Sequence, residues 1–221
     1  MGVHKTALAA ALLWAAPAVA QEKIEIRTYS IHHALFGDIG TMSDEIVEDG
    51  NNTRVLTRAD VKVDLFGLTL HHVRADWSET WQGGMLRHFR ATTTRNGSME
   101  SISGRHENGK FLVRAGERDF DVPADVHPVH PWSLQFVRAA TLMSPESGQT
   151  FPANIADKGH QSIRIGGVSR QVRHYVVRSD TTNHLYFDDE GTLLLAEYRD
   201  ITGKVSFTLQ SADEPHVASA R

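Results

Sequence analysis

The 221-residue chain contains no cysteine. That absence excludes disulfide staples, thiol nucleophiles, thiolate metal sites and a lipid-modified cysteine anchor. Stability must come from a packed core, for which a chain of this length suffices. Long apolar runs are missing too. The longest, Ala7 to Ala16, is about half of the roughly twenty residues that span a bilayer. There is also no surplus of positive charge: 23 Lys and Arg face 27 Asp and Glu, for a formal charge of −4. Without a clustered basic face, nucleic acid is not an expected partner.

What the first twenty residues do hold is an export pattern. Lys5 lies in a short start, Ala7 to Ala16 is uncharged and apolar, and Pro17 leads into the small-x-small triplet Ala18-Val19-Ala20. Polar Gln21-Glu22-Lys23 follows. That order is the order of a secretory signal peptide, with cleavage between Ala20 and Gln21. The expected organisation is a leader over 1–20, one antiparallel β domain over 21–210, and a small, polar tail over 211–221. The expected location is the bacterial periplasm, with no membrane span in the mature chain.

From Glu22 to Pro123 the rhythm is period two. Val55, Thr57, Ala59, Val61, Val63 and Leu65 alternate with Arg54, Leu56, Arg58, Asp60, Lys62 and Asp64. Alternation of this kind places one set on a core and the other in solvent. A helix would mix Arg58 and Lys62 into the apolar stripe. Asp49-Gly50, Asn96-Gly97 and Asn108-Gly109 are strong hairpin signals, so successive strands form an antiparallel meander. Pro123 to Pro131 suits neither a helix nor a central strand. Beyond it, Trp132, Phe136 and Ala139-Ala140 stand at helical spacing behind Pro131, which predicts one short helix from Pro131 to Leu142. The last third returns to strands, with turns at Gly166-Gly167 and Asp189-Glu190-Gly191.

His184-Leu185-Tyr186-Phe187-Asp188-Asp189-Glu190-Gly191-Thr192-Leu193-Leu194 reads as a strand, a Tyr-x-Asp-x-x-Gly-x-Leu turn and a second strand. Arg173-His174-Tyr175 lies on the strand before it. Near the start, Tyr29-Ser30-Ile31 is followed by Gly37-Asp38-Ile39-Gly40. Together these resemble an uncharacterised family of exported proteobacterial domains of unknown function, itself similar to the periplasmic lipoprotein-carrier type of half-barrel. The resemblance implies a curved antiparallel sheet and carries over no catalytic or binding residues.

Histidine is abundant, with 13 in the chain, so metal chemistry has to be considered. His32-His33 and His71-His72 are adjacent pairs whose members point to opposite faces of a strand and cannot chelate together. His127-Pro128-Val129-His130 is different, because both imidazoles could converge in an irregular loop. Zinc or copper there would need at least one more ligand. His174 and His184 lie on strands that pair across Thr181-Thr182. Assembled catalytic groups are not visible. Ser101-Ile102-Ser103-Gly104 lacks the context of a nucleophile elbow, and His106-Glu107 lacks the second histidine of a zinc-protease helix. Trp77 and Trp81 share a strand face with Val73 and Ala75, and Trp132 sits beside the proline loop. Bulky aromatics on one face suit core packing or contact with an apolar ligand.

The sequence therefore predicts a mainly β protein, a single long curved antiparallel sheet forming a half-barrel or open barrel with one short helix. The expected role is non-catalytic and needs no cofactor: binding a lipid-like or apolar ligand, or a partner segment, through Trp77, Trp81 and Trp132 on the concave face. One alternative is metal binding at His127 and His130. Another is a structural or assembly factor of the envelope with a protein partner.

Overall fold

The computed structural model of the protein describes residues 22–179, 181–213 and 216–217. The expected leader and its Ala20–Gln21 cleavage site lie outside these residues. Eight strands follow one another first: β1 (Lys23–His33), β2 (Gly37–Asp49), β3 (Asn52–Leu65), β4 (Leu68–Gln82), β5 (Met85–Arg95), β6 (Ser98–Glu107), β7 (Lys110–Ala115) and β8 (Arg118–Pro123). A crossover then carries β9 (Val126–Pro128), a 3-10 turn over Phe136–Arg138, β10 (Thr141–Met143) and β11 (Thr150–Pro152). A second run of strands closes the chain: β12 (Asn154–Ile165), β13 (Val168–Arg178), β14 (Thr182–Phe187), β15 (Leu193–Arg199), β16 (Lys204–Ala212) and β17 (His216–Val217).

The two runs form one antiparallel sheet in the order β12-β13-β14-β15-β16-β1-β2-β3-β4-β5-β6-β7-β8, with β17 added beside the start of β1. They are joined by β16 against β1, with Ser30 opposite Thr208 and Ile31 opposite Phe207. The sheet does not close, since β12 and β8 each have one strand neighbour among the described residues. This is the expected single long antiparallel sheet. Its C-terminal end differs from expectation: β16 runs to Ala212, and His216–Val217 pair with Lys23–Ile24.

Alternation decides which side chains face inward. On β3, Val55 and Thr57 are buried, Ala59, Val61 and Val63 are half-buried, and Arg54, Arg58, Asp60 and Lys62 are exposed. Leu65 departs from the expected core set, because the β3–β4 hairpin outruns its neighbours. Pairing with β2 stops at Val61 and pairing with β5 starts at Val73, so its tip stands alone. Among the described residues five hairpins turn on residue pairs with positive φ, at Phe66-Gly67, Gly83-Gly84, Asn96-Gly97, Asn108-Gly109 and Gly166-Gly167. These are the left-handed two-residue turns that match strand twist.

The expected helix from Pro131 to Leu142 is not formed. Its place is taken by the 3-10 turn at Phe136–Arg138 and by β10, which pairs parallel with β9 and antiparallel with β11. Topology supplies the reason. β8 and β12 are opposite edges of the sheet, so residues 124–153 must travel from one edge to the other across the inner face. The crossover therefore needs apolar side chains on both flanks, which one helical stripe does not offer. Trp132, Val126 and Met143 pack into a cluster with Trp81, Leu86 and Phe111 of the β4–β8 half. Phe136 and Leu142 pack into the other cluster, with Tyr29, Leu185 and Phe187. Phe111, Phe136 and Phe187 are at most 1% exposed, each burial contributing roughly 1.5–3 kcal/mol of transfer free energy. The space on the concave side is thus largely filled by the chain itself. Both free edges carry charge, Arg118, Asp119 and Asp121 on β8 and Asp157 and Lys158 on β12, which discourages pairing with other chains.

Candidate functional site

Strand register assembles a polar row under the crossover. Arg27, Asp44, Thr57 and Trp77 stand opposite one another on β1 to β4, and Val55 stands opposite Glu79 in the next inward row. Period two puts Glu79 on the same face as Trp77 and Trp81, and Asp44 on the same face as Met42 and Ile46. Two carboxylates thus enter the interior on strands whose other inward residues are mostly apolar.

The crossover lays His130 on top of them. His130 Nε2 is 3.1 Å from Asp44 Oδ1, and Nδ1 is 3.3 Å from Glu79 Oε1. The Thr57 hydroxyl donates to the same Asp44 oxygen at 2.8 Å. Glu79 Oε2 accepts from two indoles, Trp81 Nε1 at 2.9 Å and Trp132 Nε1 at 3.0 Å. Arg27 closes the group, donating to the Trp132 carbonyl at 2.6 Å and, in bidentate fashion, to Glu25 at 2.6 and 3.0 Å. Asp44, Glu79 and His130 are all at most 3% exposed.

Burial works against a charged His130, but the Asp44 carboxylate 3.1 Å away and the contacts with Glu79 prevail and push its pKa up to about 10. An imidazolium clamped between carboxylates is charged at neutral pH and is not poised to take up a proton. His127 goes the other way, its pKa pushed below the ordinary value by burial. Its ring lies between Trp81 and Phe136, and Nδ1 faces the Pro128 carbonyl at 2.8 Å. Burial likewise raises the Tyr29 phenol, with the Asp44 charge acting in the same direction.

The two loop histidines thus turn to different partners. Among the described residues no group of three or more His, Asp or Glu side chains is arranged to hold a metal ion. His174 and His184 do meet, on the outer face, with His174 Nε2 3.0 Å from His184 Nδ1. Of the three tryptophans, Trp81 and Trp132 are 4% and 5% exposed and spend their indole N–H groups on Glu79. Trp77 is half-buried and packs edge-on to His130 at 5.5 Å.

Trp77 also lines a cavity of about 200 Å³ between the crossover and the sheet. Val129, His130, Pro131 and Phe136 form the crossover wall, and Met42, Val177, Leu185, Leu193 and Phe207 form the sheet wall. Three larger clefts are more polar. One, of about 680 Å³, runs along β4 to β8 past Arg90 and Arg114, a second, of about 410 Å³, lies between the crossover and the β4–β5 turn, and a third, of about 370 Å³, lies between β11 and the end of β13. The cavity beside Trp77 is the most apolar of these.

Asp44 and Glu79 are the site residues that sequence reasoning missed. The signal was present: each is an acid at an inward position of a period-two strand.

Comparison with known proteins bears on the fold and the family. A β-barrel-like protein of the domain-of-unknown-function family DUF1849 from Brucella abortus superposes with a TM-score of 0.62 at 11% identity, covering 89% of this chain and 98% of its own. A DUF1089-family protein from Pseudomonas aeruginosa aligns over 98% of this chain and 100% of its own at 14% identity, with a TM-score of 0.31. The first likeness is one of fold, and the second is too distant to bear on the architecture. No curated protein matches the chain. Residues 37–210 match the domain-of-unknown-function family DUF6134, and the chain belongs to that family.

Proposed function

We propose that this protein is an exported, non-catalytic envelope protein that binds a small apolar ligand between its crossover and its sheet. The cavity carries this reading: its walls are mostly apolar, and the crossover forms one side of it. A pocket of this kind is a default ligand site. The leader pattern over 1–20 supports export to the periplasm. The filled inner face argues for a compact ligand, since a long lipid would have to displace Phe136 and Leu142, which are fully buried.

Native mass spectrometry of protein isolated from the periplasm tests the proposal directly. The expected spectrum shows a chain starting at Gln21 that carries a small apolar adduct, and Leu193→Trp, which fills the cavity, removes the adduct. A protein that carries no adduct and gains no thermal stability from saturating benzene or toluene overturns the ligand reading. Stoichiometric capture of an envelope protein in place of a ligand would favour an assembly role. Retention of residues 1–20 in the cytoplasmic fraction overturns export.

A further inference from the structure

The two ends of the sheet differ in what their turns carry. His33 of β1 stands beside Val205 of β16 and Gly37 of β2, and Gly40 of β2 stands opposite Val61 of β3. The β15–β16, β1–β2 and β3–β4 turns therefore lie at one end. In or beside them Leu35, Leu65, Phe66, Leu68, Leu70 and Ile201 are exposed, Leu35 to 67%, Phe66 to 96% and Ile201 to 103%. At the other end the β2–β3 and β14–β15 connections read Asp49-Gly50-Asn51 and Asp188-Asp189-Glu190-Gly191. Turn geometry does not account for the apolar set. Turns favour Asn, Asp and Gly, and Phe66 holds φ +50°, which bulky residues disfavour.

Charge behind these turns is compensated within the protein. Asp64 accepts from the Thr69 hydroxyl at 2.7 Å and lies 2.9 Å from Lys62. Asp60 meets His72 at 2.9 Å and Arg74 at 3.0 Å. Asp200 accepts from the Thr202 hydroxyl and from the Thr202 and Gly203 N–H groups. Carboxylates held in this way bring little repulsion toward lipid headgroups, and no free basic cluster is present to favour anionic lipid.

The arrangement suits a soft surface better than a protein groove. Asp38, Lys62 and Asp64 lie on the strands between Leu35 and Phe66, so the apolar points do not make one continuous face, as the core of a protein interface does. A bilayer surface takes such points separately, each adding according to the apolar area it buries. Depth is limited by the backbone. Beyond Val61 and before Val73 the β3–β4 ribbon pairs along its length only with itself, and its outward polar groups need water or headgroups.

We propose that this end of the molecule rests on a lipid bilayer, with Leu35, Phe66 and Ile201 inserted to headgroup depth. The proposal is independent of the cavity and its ligand.

Flotation of the purified chain starting at Gln21 with phosphatidylcholine vesicles tests it. The protein is expected to float. Phe66→Asn lowers partitioning about tenfold, the scale of withdrawing one aromatic side chain from apolar surroundings, and Ile201→Ser lowers it about threefold. Val168→Ser, at an exposed apolar position at the other end of the sheet, leaves it unchanged. Raising salt to about 0.5 M alters binding less than about twofold, since screening acts on charge alone. The chain has no cysteine, so Phe66→Cys accepts a single environment-sensitive fluorophore. Its emission rises with vesicles, whereas the same label on Val168→Cys does not respond. Thermal unfolding of Phe66→Asn no lower than that of the parent separates lost contact from lost fold, and the fluorophore reads insertion without that variant. Absence of flotation, flotation undiminished when Phe66→Asn and Ile201→Ser are combined, an equal loss in Val168→Ser, or release by salt each overturn the proposal. Self-association without lipid that Phe66→Asn abolishes overturns it in favour of a second copy of the chain.

Discussion

His130 and Glu79, 51 residues apart in the chain, meet at 3.3 Å in the interior, where the histidine from the crossover caps a carboxylate from β4. Through this contact and its partner at Asp44 the crossover is anchored to the sheet by charge as well as by packing. The anchoring is strong because each member would be costly to leave alone. Removing one partner of a buried pair leaves an uncompensated charge, whereas the intact group is nearly self-neutral.

The pH dependence of stability follows with a definite sign. His130 titrates near pH 10 in the folded protein and near about 6.5 when unfolded. Its contribution is therefore complete below about pH 6.5 and is lost as pH rises through about 10. His127 is shifted down by burial, so its contribution is present above about pH 6.5 and is lost as pH falls below it. Thermal unfolding between pH 5 and 10 is expected to give a Tm maximum near neutrality with an alkaline limb that His130→Gln flattens. An alkaline limb identical in that variant would remove His130 as its origin.

Glu79→Leu strips the acceptor from Trp81, Trp132 and His130 at once. The expected cost is about 3–5 kcal/mol in urea unfolding, in the range of breaking a buried pair. Glu79→Gln keeps an acceptor oxygen for the indoles and should cost less. If the leucine variant loses under about 1 kcal/mol, the group is not an energetic anchor.

Gly104 lies under the Phe111 ring, so closely that an added Cβ would overlap it. Gly104→Ala is expected to destabilise by about 1–3 kcal/mol despite the better backbone propensity of alanine. Trimming the ring with Phe111→Leu should make the alanine nearly neutral. A double-mutant cycle reads this as a coupling energy, and additive costs would refute the overlap.

At the β3–β4 tip, Phe66 adopts φ +50° and is 96% exposed. Asn96 and Asn108 fill the same turn position in their hairpins at φ +50° and +51°. Asparagine tolerates this conformation and bulky residues do not. Phe66→Asn is expected to stabilise by about 0.5–1 kcal/mol, measured as a rise in the urea midpoint without a change in slope. A fall in stability would mean that the aromatic makes contacts in the folded state that its exposure does not suggest.

The strands of the first half were legible because period two and Asn-Gly turns are local signals. The inward set at Val55 and Thr57 and the turns at Asn96 and Asn108 follow from residues near them in sequence. The crossover was not legible. Trp132, Phe136 and Ala139 have helical spacing, but the segment is shaped by two sheet halves on either side of it. The site was legible in part. His130 stood out by its motif and Trp77 by its face, while the meeting of His130 with Asp44 and Glu79 depends on strand order. Local pattern gives the parity of an acid, not which loop will lie over it.

The pairing of β16 with β1 in the middle of the sheet bears on how the molecule is made. Ser30 and Thr208 lie 178 residues apart yet stand side by side at the sheet's centre, where the two strand runs join. Closing so long a loop is entropically costly and slow compared with the hairpins on either side. During synthesis the first eight strands can collect as hairpins while β1 keeps one edge open, and only the arrival of the C-terminal strand completes the sheet. The two strand runs thus remain unjoined until β16 is available to pair with β1.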